Sequence, residues 1–360
     1  MALYIGLAVV TIIAAFFVTN KTAVQTGTVT RQQMCNRILL AGIFALLFLV
    51  SACRIYVGND YMPYLNIFER IHNGQIVSTE IGFNAVVKAV QFFFGTGIHA
   101  ALVIFAIFSF GTVYFMLRAM YEQSECFVWT FFLFMASGYY FSSMMTVRYY
   151  FVLSIALYAM KYVIKKDWLP FVLWILFAAL FHKSVLFVIP VYWLAGRQWK
   201  KWHIWLAVGM CATFLVFGDF YRRIVFYFYP YYENSIFDTG RTSLVNIAKC
   251  ICVLVLALLY YKYSVKVDEK VRFYFYLNLG SLILYVFCSF IPEVSRIGYY
   301  LNVTNIFLIP SVLKSIPDKK QRWFFSGAVA AAFCLYFAMF LRDAYAEGIR
   351  LLPYQSWLFY

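Results

Sequence analysis

The sequence predicts an all-α fold, a polytopic bundle of transmembrane helices, and three observations carry that prediction. Of 360 residues, 64% are hydrophobic and only 12% charged, about half the charge density of an ordinary soluble domain, and the mean hydropathy is +0.77. Apolar runs on the scale of the roughly 20 residues needed to cross a bilayer recur along the chain with short polar gaps between them. Lysine and arginine concentrate in alternate gaps, the asymmetry that orients a membrane protein.

Taken in order, the runs at 2–19, 38–53, 98–117, 126–145, 147–164, 203–219, 243–262, 272–291, 296–314 and 323–341 read as spans. Between 168 and 196 two shorter apolar pieces, 168–181 and 185–196, are divided by His182-Lys183-Ser184. A continuous lipid-facing helix tolerates such a triplet poorly, so the pieces are counted as two short broken spans and the total becomes about twelve. The first run follows Met1 with neither a basic n-region nor a cleavage signal, which makes it a retained helix and not a signal peptide. Residues 83–95 are too few to span and are expected to lie along the outer interface as a helix. The chain therefore reads as a single integral membrane domain, 1–360. Its external connections 54–97 and 219–242, the second carrying Tyr227, Tyr229, Tyr231 and Tyr232 around Pro230, are expected to cap an extracytoplasmic active site.

Orientation follows from the gaps. One alternate set holds 18 lysines and arginines against six acids, the other 11 against nine, and Lys249 alone falls well inside a span. The richer set is cytoplasmic by the positive-inside rule, which puts both termini outside. The break at His182-Lys183 is needed for this alternation, because without it every later loop inverts. Topology thus accounts for most of the net charge of +15, and nucleic acid drops out as a partner. The eight cysteines are scattered without a CxxC, and the four histidines lie far apart with no DxD-type carboxylate pair, so neither a metal nor another cofactor is expected.

Residues able to carry chemistry gather at the outer ends of the helices, where a charge is costly unless it is paired or faces a wet cavity. Arg54 and Asp60 flank Gly58-Asn59, a tight turn that keeps Asp60 near the membrane, and Glu80 follows some twenty residues on. An interfacial Arg–Asp pair is the plainer reading of that segment. Arg148 heads the fifth span, where a guanidinium beside free backbone N–H groups suits phosphate, with simple snorkelling as the alternative. His182 and Lys183 sit at the helix break, either lining a cavity or making a plain external turn. Glu293 and Arg296 share one short turn and either pair locally or join the others. With Arg241 from the second external connection, these cations point to one side of the membrane, as a polyanionic lipid head group requires. The expectation is one shared external chamber: Arg54, Arg148, Lys183, Arg241 and Arg296 bind a diphosphate, and Asp60, Glu80, His182 and Glu293 are the catalytic candidates, Asp60 and Glu80 first.

At these residues the chain resembles the EpsG family of bacterial polysaccharide polymerases, the Wzy-like proteins of capsule, exopolysaccharide and O-antigen loci. The likeness rests on Arg54, Gly58, Asp60 and Tyr64, on Glu80, Gly82 and Phe83, on Arg148 at a helix head, on the His182-Lys183-Ser184 turn, on Arg296 followed by Tyr299, and on Leu352-Pro353-Tyr354. One departure is Tyr149-Tyr150, where the family pattern has glutamine and alanine after the arginine. The resemblance implies a glycosyltransferase of the bacterial cytoplasmic (inner) membrane, with a GT-C-like bundle as one arrangement for it. Its substrates would be oligosaccharide repeat units on undecaprenyl diphosphate, joined on the extracytoplasmic face. Without metal-ligand spacing in the sequence the transfer is expected to be metal-independent, and direct displacement would invert the anomeric centre. Membrane lipids surround it, and a chain-length regulator and a flippase of the same pathway are candidate partners. Two rival functions remain, a lipid-linked oligosaccharide flippase or transporter and a membrane O-acyltransferase acting on surface polysaccharide. The first should show repeat halves, and the second should carry its histidine and arginine residues mainly on the cytoplasmic side.

Overall fold

The computed structural model describes residues 1–19, 30–228, 230, 233, 242–292 and 294–359, and what it describes is helical apart from turns and one isolated bridge. In chain order the α-helices are α1 (Ala2–Phe16), α2 (Arg31–Ala52), α3 (Tyr61–His72), α4 (Ile81–Phe94), α5 (Ile98–Gln123), α6 (Phe127–Ala136), α7 (Tyr139–Ser142), α8 (Val147–Ile164) and α9 (Trp168–Ala179). They continue as α10 (Val188–Ala195), α11 (Lys201–Val216), α12 (Gly218–Phe228), α13 (Leu244–Leu259), α14 (Glu269–Phe287), α15 (Val294–Asn302), α16 (Asn305–Ser315) and α17 (Lys319–Asp343).

Local chemistry explains where helices start and stop. Thr30 and Gln33 cap α2 reciprocally, each side chain accepting the other's backbone N–H at 3.2 and 3.0 Å. Asp318 caps α17 by accepting from Lys320 and Gln321, both at 3.2 Å. Interruptions are equally specific. Gly138, at φ +75°, separates α6 from α7, and α11 turns into α12 through an 84° bend at Phe217.

Apolar surface that meets no other part of the protein identifies lipid as the solvent. The most apolar stretch of α17 is only 6% buried, and α11 buries none of its side chains although it carries Trp205, Leu206 and Val208. Water would not tolerate such faces, and hydrocarbon does. The protein is a helical membrane protein. Among the described residues, α2, α5, α8 and α17 are long and apolar enough to cross a bilayer, and the bent pair of α11 and α12 makes a fifth if it is one span. The expected dozen spans are not matched by a dozen long helices. Several helices end before their apolar runs do, so α1, α6 and α13 are only 10 to 16 residues long, and α9, expected to be short, has 12. At 1.5 Å per residue these reach about 15–24 Å, less than the ~30 Å core.

The chain packs as two compact units. The first comprises Met1–Tyr162, Trp168–Leu186 and Asp318–Tyr360, and the second Val163–Asp167 and Phe187–Pro317. In the first unit α2 and α4 pack on α5, α1 on α2 and α6, and α17 on α6. There α8 is buried along Val152, Leu153, Ile155, Ala156 and Leu157, as expected of a helix enclosed by others. The helix expected over 83–95 is α4, which exposes Phe92, Phe93 and Phe94 at its end.

In the second unit α13, α14, α15 and α16 meet around buried polar side chains. Asn278 donates to the Cys250 carbonyl (3.0 Å), Asn305 to Asn278 Oδ1 (2.9 Å) and Asn302 to the Tyr285 hydroxyl (3.1 Å). In an apolar medium such bonds fix register, since each leaves a polar group stranded if broken. Gly298 lets α15 lie against the Tyr285 ring, where any Cβ would collide.

Candidate active site

The first unit brings several of the expected site residues together through three devices. After α2 the chain turns sharply, with Tyr56 and Gly58 at φ 58° and +94°, and a Cβ at 58 would run into the Met144 carbonyl. Only glycine fits there. A strap from residues 350–357 fixes that turn: Ile55 N–H donates to the Gln355 carbonyl (3.0 Å), Gly58 N–H to that of Arg350 (2.8 Å), and Trp357 N–H to that of Cys53 (3.1 Å), while Arg54 and Ser356 pair as an antiparallel bridge. The turn delivers α3, whose Tyr61, Tyr64 and Phe68 point inward at helical spacing. The third device is Gly82, whose N–H donates to the Leu180 carbonyl at 2.8 Å and whose missing side chain lets α4 touch the end of α9.

Aromatic rings form the floor. Phe105 stacks on Tyr61 (4.6 Å between centroids), Tyr64 meets Phe105 edge-on (6.2 Å), and Phe83 lies beside Tyr64 (5.6 Å). Arg148, in the first turn of α8, rests on this floor. Its guanidinium carbon is 5.7 Å from the Tyr64 ring and 5.3 Å from that of Phe83, and both its Nε–H (3.2 Å) and its backbone N–H (3.3 Å) donate to the Tyr64 hydroxyl. Its Nη1 makes an ion pair with Glu80 Oε2, and the two side chains are 19% and 13% exposed. The other Glu80 oxygen accepts the Lys183 backbone N–H at 3.2 Å, so this one carboxylate ties the head of α8 to the helix break.

The remaining groups surround that pair. The Lys183 side chain is exposed. His182 stands edge-on to Tyr149 (5.9 Å), and its Nδ1 accepts the Ser184 backbone N–H at 3.4 Å, with the Ser184 hydroxyl at 2.8 Å. That bond leaves Nε2 to carry the proton of the neutral ring. Asp60 lies close enough to Tyr64 to act on it through space. Burial pushes the Tyr64 phenol above its ordinary value, Arg148 pulls it down and Asp60 pushes it up, with a raised net result, so the hydroxyl stays protonated.

Several expected site residues stand elsewhere. Arg54 does not face a chamber. It is 1% exposed, its guanidinium is 5.0 Å from the centre of Phe105, and Nη1 donates to the Ser51 carbonyl, to Ser51 Oγ (3.2 Å) and to Ser109 Oγ (3.3 Å). Burial lowers it to about 10 while Tyr61 and Tyr4 oppose the shift, and the strap covers the turn from which it projects. Glu80, expected as an available base, is held by Arg148 and Lys183. Arg296 lies on α15 of the second unit, which Ser281 meets at the Gly298 carbonyl (3.4 Å), whereas Arg241 and Glu293 fall outside the described residues. The cluster that the structure assembles within the first unit is thus Asp60, Glu80, Arg148, His182 and Lys183. The sequence reading names Tyr64 only as a motif residue and misses its hydrogen bonds with Arg148, although its place on the inward face of amphipathic α3 signals burial.

Residues 37–356 match the EpsG family, nearly the whole chain. The chain belongs to the EpsG family. The residues from which the resemblance was read all fall within the matched stretch, from Arg54 to Tyr354. EpsG proteins are Wzy-like polysaccharide polymerases, which points to a glycosyltransferase-type role in the membrane for this chain. No curated protein and no solved structure matches it. Among the described residues, no three His, Cys, Asp or Glu side chains are arranged to hold a metal ion.

Proposed function

We propose that this EpsG protein joins oligosaccharide repeat units carried on undecaprenyl diphosphate, on the extracytoplasmic face of the bacterial cytoplasmic membrane, by direct and inverting transfer. The observation that supports this most is the placement of Arg148 at the head of α8, on the aromatic floor and beside the exposed Lys183. A guanidinium and the first N–H groups of a helix together make a strong site for a diphosphate, the leaving group of such a reaction. The chemistry needs stabilisation of charge developing on that leaving group, which Arg148 and Lys183 supply without a metal, and a base for the acceptor hydroxyl, for which Asp60, Glu80 and His182 stand in the same cluster. The topology proposed with this reading has about twelve membrane passes, with both termini outside. In the test, purified protein in nanodiscs receives lipid-linked repeat units without nucleotide sugar or divalent metal. A ladder of polymer is expected from the native chain and none from Arg148→Ala, whereas equal ladders from both would remove this site from catalysis.

A further inference from the structure

Glu80 and Arg148 occupy each other completely enough to pose a problem. A carboxylate engaged with a guanidinium and a backbone N–H is poorly placed to take a proton, and a guanidinium neutralised by a carboxylate binds a diphosphate weakly. A partner group whose only task was to aim Arg148 would be redundant, because Tyr64 and Phe83 already do that. The Tyr64 hydroxyl accepts from Nε, and both rings lie against the guanidinium, independently of Glu80. Glu80 engages Nη1, on the opposite side from the Tyr64 contact. With Glu80 withdrawn, the guanidinium keeps its contacts with Tyr64 and Phe83, and Nη1 loses its carboxylate. Beside it, Lys183 exposes its ammonium while its backbone N–H holds the other Glu80 oxygen.

We propose that Glu80 is a displaceable carboxylate: the diphosphate of the lipid-linked donor takes its place on Arg148, and the released Glu80 becomes the base for the acceptor hydroxyl. This rests on the polymerase reading and deepens it. A diphosphate carries more charge than one carboxylate and can bridge Arg148 and Lys183, so the exchange is favourable where the reverse pairing is not. In the step itself the acceptor oxygen forms a bond to the anomeric carbon of the donor glycan. The bond from that carbon to the diphosphate oxygen breaks, its electron pair leaves with the lipid diphosphate, and the hydroxyl proton passes to Glu80. Coupling the two events means that Glu80 is freed to act as a base only once a donor has docked.

Displacement and mere positioning predict opposite signs for one measurement. The probe is undecaprenyl diphosphate binding to purified protein in nanodiscs, read as Kd. If the carboxylate competes for Arg148, Glu80→Gln and Glu80→Ala bind the probe about three- to tenfold tighter than the native chain while polymer formation is lost. Two variants are used because glutamine retains an oxygen that can still accept from Arg148, and gel filtration establishes that each is folded. Binding unchanged or weakened in both, with Arg148→Ala losing at least tenfold, would overturn the displacement and leave Arg148 as the diphosphate site. Arg148→Ala binding like the native chain would instead overturn the reading on which the proposal rests.

Discussion

The Tyr64 hydroxyl is the smallest group whose removal should be felt at the site. Tyr64→Phe keeps both the ring under Arg148 and its contacts with Phe83 and Phe105, so the change isolates two hydrogen bonds, those from Nε–H at 3.2 Å and from the backbone N–H at 3.3 Å. The first involves a charged donor, for which about 1.5 kcal/mol is appropriate because Arg148 is one-fifth exposed, and the second about 1 kcal/mol. Together they are worth about 2.5 kcal/mol. At about 1.4 kcal/mol per factor of ten, this corresponds to a fall of roughly 60-fold in kcat/KM if all of it is felt in the transition state. The assay is the initial rate of polymer formation from lipid-linked repeat units across a range of substrate concentrations, and a fall between tenfold and that ceiling is expected. A variant within twofold of the native rate would refute the argument that Tyr64 aims the guanidinium.

Other expectations follow from the same geometry. Gly58→Ala should lose about 3 kcal/mol of stability, since alanine at φ +94° is strained and its Cβ meets a backbone carbonyl, and a lowered Tm would report it. Arg54→Met should leave diphosphate binding within about twofold and leave Tm unchanged or raised. The buried cation has no carboxylate among its described contacts, and Ser51 and Ser109 already bond each other at 2.8 Å, so neither hydroxyl is orphaned by its removal; a tenfold loss of binding would return Arg54 to the site. Tyr64, raised on folding, contributes stability that is whole below its ordinary value of 10.0 and is lost as pH climbs through the higher folded value. Melting curves of the native chain should therefore fall relative to Tyr64→Phe above about pH 10, and parallel curves would count against this.

Local features were legible in the sequence because they are written in adjacent residues. His182-Lys183-Ser184 breaks its apolar run and becomes a short 3₁₀ turn, Lys183–Phe187, and Arg148 stands in the first turn of a helix. Gly58-Asn59 turns the chain into α3. What could not be read depends on partners distant in sequence. The Glu80–Arg148 pair joins residues 68 positions apart, and nothing near either residue names the other. Arg54 looks like any interfacial arginine until residues 350–357 are laid over the turn that carries it. Helix lengths were overread for a related reason, since an apolar composition continues through Gly138 and Phe217 while the backbone does not.

The pairing of residues 350–357 with the turn after α2 has a bearing on biosynthesis. Tyr354 reaches back 304 positions to the Val50 carbonyl, so the ground on which α3 stands is finished only after residue 354 has been made. A nascent chain stopped short of that point already owns Asp60, Glu80, Arg148 and Lys183, yet has them on an unfastened support. The cluster is then fastened only when residues 350–357 are present to pair with the turn after α2.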